Sequence, residues 1–507
     1  MRIRVNAPMP SPISFGTVKE ILRSVGLTPE LAEGRLAQAV RLYYPLDRQL
    51  AERVRAEAIS LTDGAIASEQ IRYFQTRRVR RNHVMVTEHI SSVSGSVDLE
   101  IGSCDSIDAP SREFLSIASR IAGWNVTYSS ASIPAAEEAV HHGEGCLKEA
   151  LRDESMADEL AEAAWEFINV GDAWTGTALG RRLLARERSA RVWSLLAIGH
   201  AMLRETEKAE FYYDEWARRG DSMDKVRALY GKSMLYARHH PDGLRDTDMA
   251  AACLDHAYGI IGNLSELERA HDDVVFEEVF NRNGFALVLF RRGHVDEALD
   301  LLKDGITRLS ATTERVAIHR SVLIYNLAQC HKQLGDIEAA IRTFDQLLDV
   351  DPYMAEYHLE AAKCLSAAGD HARSVEECEI AVALDDTLAI SWRMLGLAHL
   401  SCGRLDAAVH AYSRAVGLEP ENTTGRADAA YAFIRAHRCE DALAVLEPVE
   451  IESLSPAEID RHFSLSAEAH LRRDRVQNAV EQLTIGMRMN SSSQVLALNL
   501  EKVAARR

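Results

Sequence analysis

A self-similarity of 34 residues runs through the second half of this chain. No other feature restricts the fold as much, because a fixed period of this size builds stacked copies of one small unit instead of a single globular core. The clearest unit holds Trp392, Leu395, Gly396 and His399, then Gly403, Ala408, Tyr412, Ala415 and Pro420. One period earlier Gly369 and Ala381 stand in register, and one before that Leu327, Gly335, Ala340, Phe344 and Pro352. In phase with these lie weaker units at Leu160, Ala164, Phe167 and Gly171, at Trp193, Leu196, Ala197, Ala209 and Tyr213, and at Phe285, Ala286, Gly293, Ala298 and Leu302. Downstream follow Ala429, Ala430, Phe433, Ala442 and Leu446, then Phe463, Ala467, Ala479 and Leu483. Small residues at fixed positions let two antiparallel helices approach, and large ones beside them fill the gap.

The order W-x2-L-G, then A-x3-Y and a closing Pro, resembles the tetratricopeptide repeat (TPR) family, with His399 at the usual Tyr position. The resemblance implies a mainly α fold: a superhelix of about nine helical hairpins over residues 156–491, with a capping helix at 492–507. The spacing departs from the family near 240–275 and 308–320, which predicts lengthened hairpins at about 222–264 and 272–320. Gly293, Gly335, Gly369 and Gly403 suit left-handed helix ends, and Asp296, Asp336, Asp370 and Asp406 suit the start of the next helix.

Charge separates the two ends of the chain. Residues 1–135 hold 16 Lys and Arg against 14 Asp and Glu, whereas the rest hold 42 against 62. An acidic array does not neutralise phosphates, so any nucleic-acid contact falls to residues 1–135. There the texture predicts a small α/β domain: helices over 15–25, 29–42 and 46–61, strands over 83–93, 96–104 and 124–130, and a helix over 110–123. Residues 136–155 read as a linker with a capping helix. No secretory signal or membrane-spanning run is found, which implies a cytoplasmic protein. The eight cysteines are scattered with no C-x-x-C pair, as reduced core residues are.

Chemistry-bearing motifs are sparse. Leu99-Glu100-Ile101-Gly102-Ser103 resembles the first glycine-rich turn of S-adenosylmethionine-dependent methyltransferases, but Cys104 replaces its second glycine and the next strand has no terminal acid. His141-His142 with Glu144, and His239-His240 with Asp242, lack the i, i+4 spacing of a helical metal site. No catalytic constellation, cofactor or metal site is assigned. Arg72, Arg77, Arg78, Arg80 and Arg81, with Tyr73 and Phe74, form a possible basic contact patch. A helix-turn-helix drawn over 18–43 would place Glu30 and Glu33 beside its basic residues, which suits a major groove poorly.

The family resemblance turns the first helix of each hairpin toward a concave groove. In phase with the motifs, Trp165, Arg191, Asn283, Tyr325, Asn326, Gln329, Lys363, Arg393 and Tyr431 would line it and contact a peptide or protein partner. Glu360 and Met394 stand where the carboxylate clamp of chaperone-binding members needs other residues. Three functions follow: a non-catalytic cytoplasmic scaffold or adaptor, a regulator like the bacterial TPR peptide sensors with the N-terminal domain as output, or a small N-terminal enzyme or accessory unit to which the array delivers a substrate.

Overall fold

The computed structural model describes residues 1–9, 11–58, 60–61, 75–132, 142–309 and 314–505. It is mainly helical, with one three-stranded sheet near the N-terminus. Two compact units divide it, Met1–Tyr353 and Met354–Arg507.

The first unit opens with strand β1 (Arg2–Asn6), which pairs in parallel with β2 (Asp98–Gly102), itself parallel to β3 (Asn125–Tyr128). The register sets Ile3 against Leu99 and Val5 against Ile101, so these four side chains share the buried face. On the other face Glu100 accepts from Arg4 Nε at 2.9 Å and from Arg2 Nη2 at 3.3 Å. Helices Gly16–Ser24, Gly34–Arg41, Arg48–Ala56 and Gln75–Ser94 separate β1 from β2, and Ala109–Arg120 separates β2 from β3. Their core is an aromatic knot of Phe15, Tyr43, His83, Phe114 and Trp124, in which Tyr43 Oη and His83 Nδ1 share a 2.7 Å hydrogen bond. Burial lowers the His83 pKa to about 3.

One expected strand is a helix. Residues 83–93 belong to Gln75–Ser94 and not to the sheet, because Val79, His83, Val86 and Ile90 recur every three to four residues and form one buried stripe. Their β-branched neighbours yield to that packing. The third strand is supplied instead by residues 2–6 at the start of the chain.

After a short helix, His142–Ala150, the hairpins begin. Hairpin 1 is Ala157–Val170 with Ala173–Arg186, and hairpin 2 is Ala190–Met202 with Thr206–Arg219. Hairpin 3 is lengthened as its spacing requires: Ser222–Met234 continues through a π-helical turn, Leu235–His239, before Thr247–Gly262. Hairpins 4 and 5 are Asp272–Arg291 with Val295–Arg308, and Glu314–Gln333 with Ile337–Val350. In the second unit hairpins 6 to 9 are Ala355–Ala367 with His371–Leu384, Ala389–Ser401 with Leu405–Leu418, Thr423–Arg435 with Cys439–Leu446, and Pro456–Leu471 with Val476–Met489. Gln494–Ala504 closes the chain.

The punctuation follows the repeat. Gly335 and Gly369 sit at φ 78° and 83°, a left-handed conformation that a side chain would strain. Asp336 and Asp370 then cap the next helix, accepting from Ala339 N at 3.0 Å and Arg373 N at 3.1 Å. Gly396 has a packing reason as well, since a Cβ there would stand 2.7 Å from the Tyr412 ring.

Candidate functional site: the face of the first helices

In the second unit the first helices of hairpins 7, 8 and 9 are tied by charge. Arg393 donates to Asp428 Oδ2 at 2.8 Å, and Arg461 donates to Asp428 Oδ1 at 2.6 Å. One carboxylate thus holds two guanidinium groups from the hairpins on either side of it, and each guanidinium keeps donors to spare. One turn beyond Asp428, the Tyr431 hydroxyl accepts from Arg435 at 2.9 Å while the Arg435 guanidinium lies 5.7 Å from the ring centre. Tyr431 is 38% exposed and Leu397, at the matching place in hairpin 7, is 45% exposed. Beneath them Tyr412 is buried, and burial together with the Asp428 charge raises its pKa well above the ordinary tyrosine value. The ladder continues as Thr423 Oγ1 donates to Glu458 at 2.7 Å and Asn499 Nδ2 to Ser464 at 3.1 Å. Lys363 of hairpin 6 donates to Glu360 one turn before it, at 2.5 Å.

Arg393, Tyr431 and Lys363 were expected on this face from the repeat phase. Asp428, Arg461 and Arg435 were not, although Asp428 and Arg461 follow Arg393 at nearly one-repeat steps and alternate with it in sign. That recurrence is a signal in the sequence, and it gains meaning only once the three helices are known to lie side by side.

In the first unit the six expected groove residues do not form one open surface. Asn283 is buried, and its Oδ1 accepts from Asn326 Nδ2 at 2.9 Å, a bond between the first helices of hairpins 4 and 5. Tyr325 meets the Phe344 ring edge-on at 6.0 Å, and Gln329 is half-buried one turn along the same helix. Trp165 packs against the core of hairpin 1, while Arg191 is exposed and pairs with Asp158 at 3.3 Å. Of the basic stretch, Arg72 and the side chain of Arg77 lie outside the described residues. Arg78, Arg80 and Arg81 are half-buried on Gln75–Ser94, with Arg80 near enough to Glu113 to oppose the rise that burial gives that carboxyl's pKa.

The other motifs are engaged structurally. The backbone amides of Ser103 and Cys104, in the glycine-rich turn, donate to Ala131 O and Ser129 O, each at 3.3 Å. His240 Nδ1 shares a 3.0 Å hydrogen bond with Thr206 Oγ1, and His239 is held neutral by burial, its pKa lowered to about 3. His141 and the side chains of His142 and Glu144 lie outside the described residues.

The sequence profile of the tetratricopeptide repeat family matches residues 325–389 and 393–448, the stretch that carries the Arg393–Asp428 pair. The chain carries tetratricopeptide repeats over these residues. It is 31% identical over 100 residues to the heat-shock protein cognate co-chaperone sgt12 of Aspergillus fumigatus, which is 20% of this chain and 28% of that one. Against the small glutamine-rich tetratricopeptide repeat-containing protein 2 of Mycosarcoma maydis it is 29% identical over 87 residues, 17% of this chain and 25% of the relative. The chain thus spans about a quarter of the length of these relatives. Among solved structures, a tetratricopeptide repeat protein from Parabacteroides merdae is matched over its whole length and 56% of this chain, at 14% identity and a TM-score of 0.36. No helix among the described residues is long and apolar enough to cross a membrane.

Proposed function

We propose that this protein is a non-catalytic cytoplasmic adaptor that holds an extended segment of a partner protein against the first helices of hairpins 7 to 9. The observation that carries the reading is the Arg393–Asp428–Arg461 ladder beside the exposed Tyr431 and Leu397. Aromatic and aliphatic side chains give apolar anchorage there, and arginines with unspent donors suit carboxylates and backbone carbonyls of the partner. Nucleic acid is not the expected ligand of this acidic array.

Site-specific photo-cross-linking tests the reading with the full chain in its native cell. A cross-linking residue at Leu397 or Tyr431 should trap a discrete partner, and one at the exposed Ser413 on the second helix of hairpin 7 should not. Equal trapping at Ser413, or none at Leu397 and Tyr431, would place the interaction elsewhere.

A second reading, a sensor whose N-terminal domain is the output, is supported by how that domain packs within the first unit. Ser14 N donates to Thr175 Oγ1 of hairpin 1 at 2.8 Å, Phe15 lies edge-on to Trp174 at 5.9 Å, and Arg41 pairs with Glu166 at 3.7 Å. Such a domain is placed to respond when the hairpins shift.

A further inference from the structure

The turn inside a hairpin is built in one way along most of the array. A residue with positive φ ends the first helix, and the amide after it donates to the carbonyl five residues back. In hairpins 2, 5, 7 and 9 the residue offering that carbonyl is a histidine. His200, His331, His399 and His470 accept from the amides of Glu205, Asp336, Arg404 and Arg475 at 3.0, 3.0, 2.9 and 3.0 Å. The positive-φ residues are Arg204, Gly335, Gly403 and Asp474, each four places after its histidine. Hairpins 6 and 8 make the same bond through Leu365 and Phe433. One position of the repeat thus joins a backbone clasp to a titratable ring.

Two of the four rings stand in the second unit, and their surroundings set them apart. His399 is buried and His470 half-buried, and the Nδ1 atom of each is buried with no hydrogen-bond partner. In hairpin 2, by contrast, His200 Nδ1 meets Glu205, whose carboxylate can balance a charge on that ring. A neutral imidazole can keep one nitrogen as an unused acceptor. Protonation turns that nitrogen into a charged donor, and a buried charged donor without an acceptor costs far more.

The charged groups that face His399 are Glu379 from the second helix of hairpin 6 and Arg404 from its own turn. Those that face His470 are Arg475 and Arg473 from its own turn, Glu440 from the second helix of hairpin 8 and Glu481 from the second helix of hairpin 9. Burial outweighs the pull of these acids and holds both pKa values below the ordinary 6.5. The unfolded chain therefore takes up these protons first. The two rings carry no penalty above pH 6.5 and weaken the native turns progressively as pH falls below it.

The helices that end in these two turns carry the arginines of the ladder. Ala389–Ser401 holds Arg393 and Leu397, and Pro456–Leu471 holds Arg461. Between them Thr423–Arg435 holds Asp428, and its turn is clasped through Phe433, which does not titrate. We infer that His399 and His470 are an acid-sensitive pair: protonation drives each ring out from beneath its turn, breaks the clasp made by its own carbonyl, and loosens both arginine-bearing helices from Asp428. The use of this loosening to release a partner rests on the adaptor reading, whereas the loosening itself does not.

Hydrogen exchange read by mass spectrometry on the full chain tests the pair without a partner, so it can fail independently of the adaptor reading. Rates are compared at about pH 7.5 and about pH 5.5, after correction for the intrinsic pH dependence of amide exchange. In the wild type, exchange in residues 398–405 and 469–476 should rise several-fold at the lower pH, with a smaller rise over 364–371 in hairpin 6. In the double variant His399→Gln, His470→Gln, whose new side chains do not titrate, that rise should vanish. A rise as large over 364–371, or one that survives in the double variant, would assign the acid response to other groups and overturn the pair. If glutamine loosens the turns at both pH values, exchange at the imidazole C2 carbon of the wild type reports the titration of each ring. Midpoints below 6.5 for His399 and His470, beside the wild-type rise, uphold the pair, and midpoints at or above 6.5 overturn it.

Discussion

Asp172 shows how much a single turn residue can be asked to do. It caps Ala173–Arg186 by accepting from Thr175 N at 3.0 Å and Thr175 Oγ1 at 2.6 Å, and the same hydroxyl receives Ser14 N from the N-terminal domain. Burial dominates its titration and raises its pKa from 3.8 to about 6. The native state therefore keeps this proton up to about pH 6, whereas the unfolded chain loses it near 3.8. Between those values the native state binds more protons, so this group makes stability rise as pH falls through the window, and its penalty is complete above pH 6. Relative to Asp172→Asn, the wild type should gain on the order of 2 kcal/mol from pH 6.5 to pH 4 in denaturant titrations. A second residue-scale expectation concerns the ladder. Arg393→Ala leaves Asp428 paired with Arg461 and should move the melting midpoint by less than about 2 °C. Asp428→Ala leaves two arginines facing each other and should cost about 1 kcal/mol, less at high salt. A large loss from Arg393→Ala would mean that this side chain supports the fold.

At the scale of elements, the hairpin is the unit of stability, and its weakest tolerance is at the small residues of the crossing. Gly396 faces the Tyr412 ring and Ala408, one turn before Tyr412, is fully buried on the same helix. Gly396→Ala and Ala408→Leu should each cost on the order of 1–3 kcal/mol by overpacking, measured as a fall in denaturation midpoint with little change in slope. The elements themselves were legible where the repeat spoke. Helix ends at Gly335 and Gly369 and starts at Asp336 and Asp370 could be placed from spacing alone, because the turn conformation admits few residues. Residues 83–93 were misread as a strand because a run such as Val84-Met85-Val86 satisfies both periods over a short window. The longer stripe from Val79 to Ile90 resolves it. Residues 2–6 were missed because a five-residue strand at a chain end carries too few alternations to stand out.

For the whole molecule, the first unit behaves as one compact body in which the N-terminal sheet, its helices and hairpins 1 to 5 share contacts. Val170 and Trp174 of hairpin 1 pack on the core of the N-terminal domain, and Ile13 and Leu46 of that domain pack on the core of hairpin 1. Residues 1–132 produced alone should therefore lose near-ultraviolet circular dichroism and bind a hydrophobic dye, whereas residues 1–219 should retain the signal. Equal order in both fragments would show that the docking is not needed for folding. The sequence by itself determined the array, its phase and its turns, because these follow from a local period that every unit restates. Only the tertiary structure decided that one aspartate joins Arg393 to Arg461, and that Ser60 meets Asp351 across 290 residues. Such contacts leave no periodic trace: two chain segments meet once, and their pairing is fixed by where the stacked helices carry them.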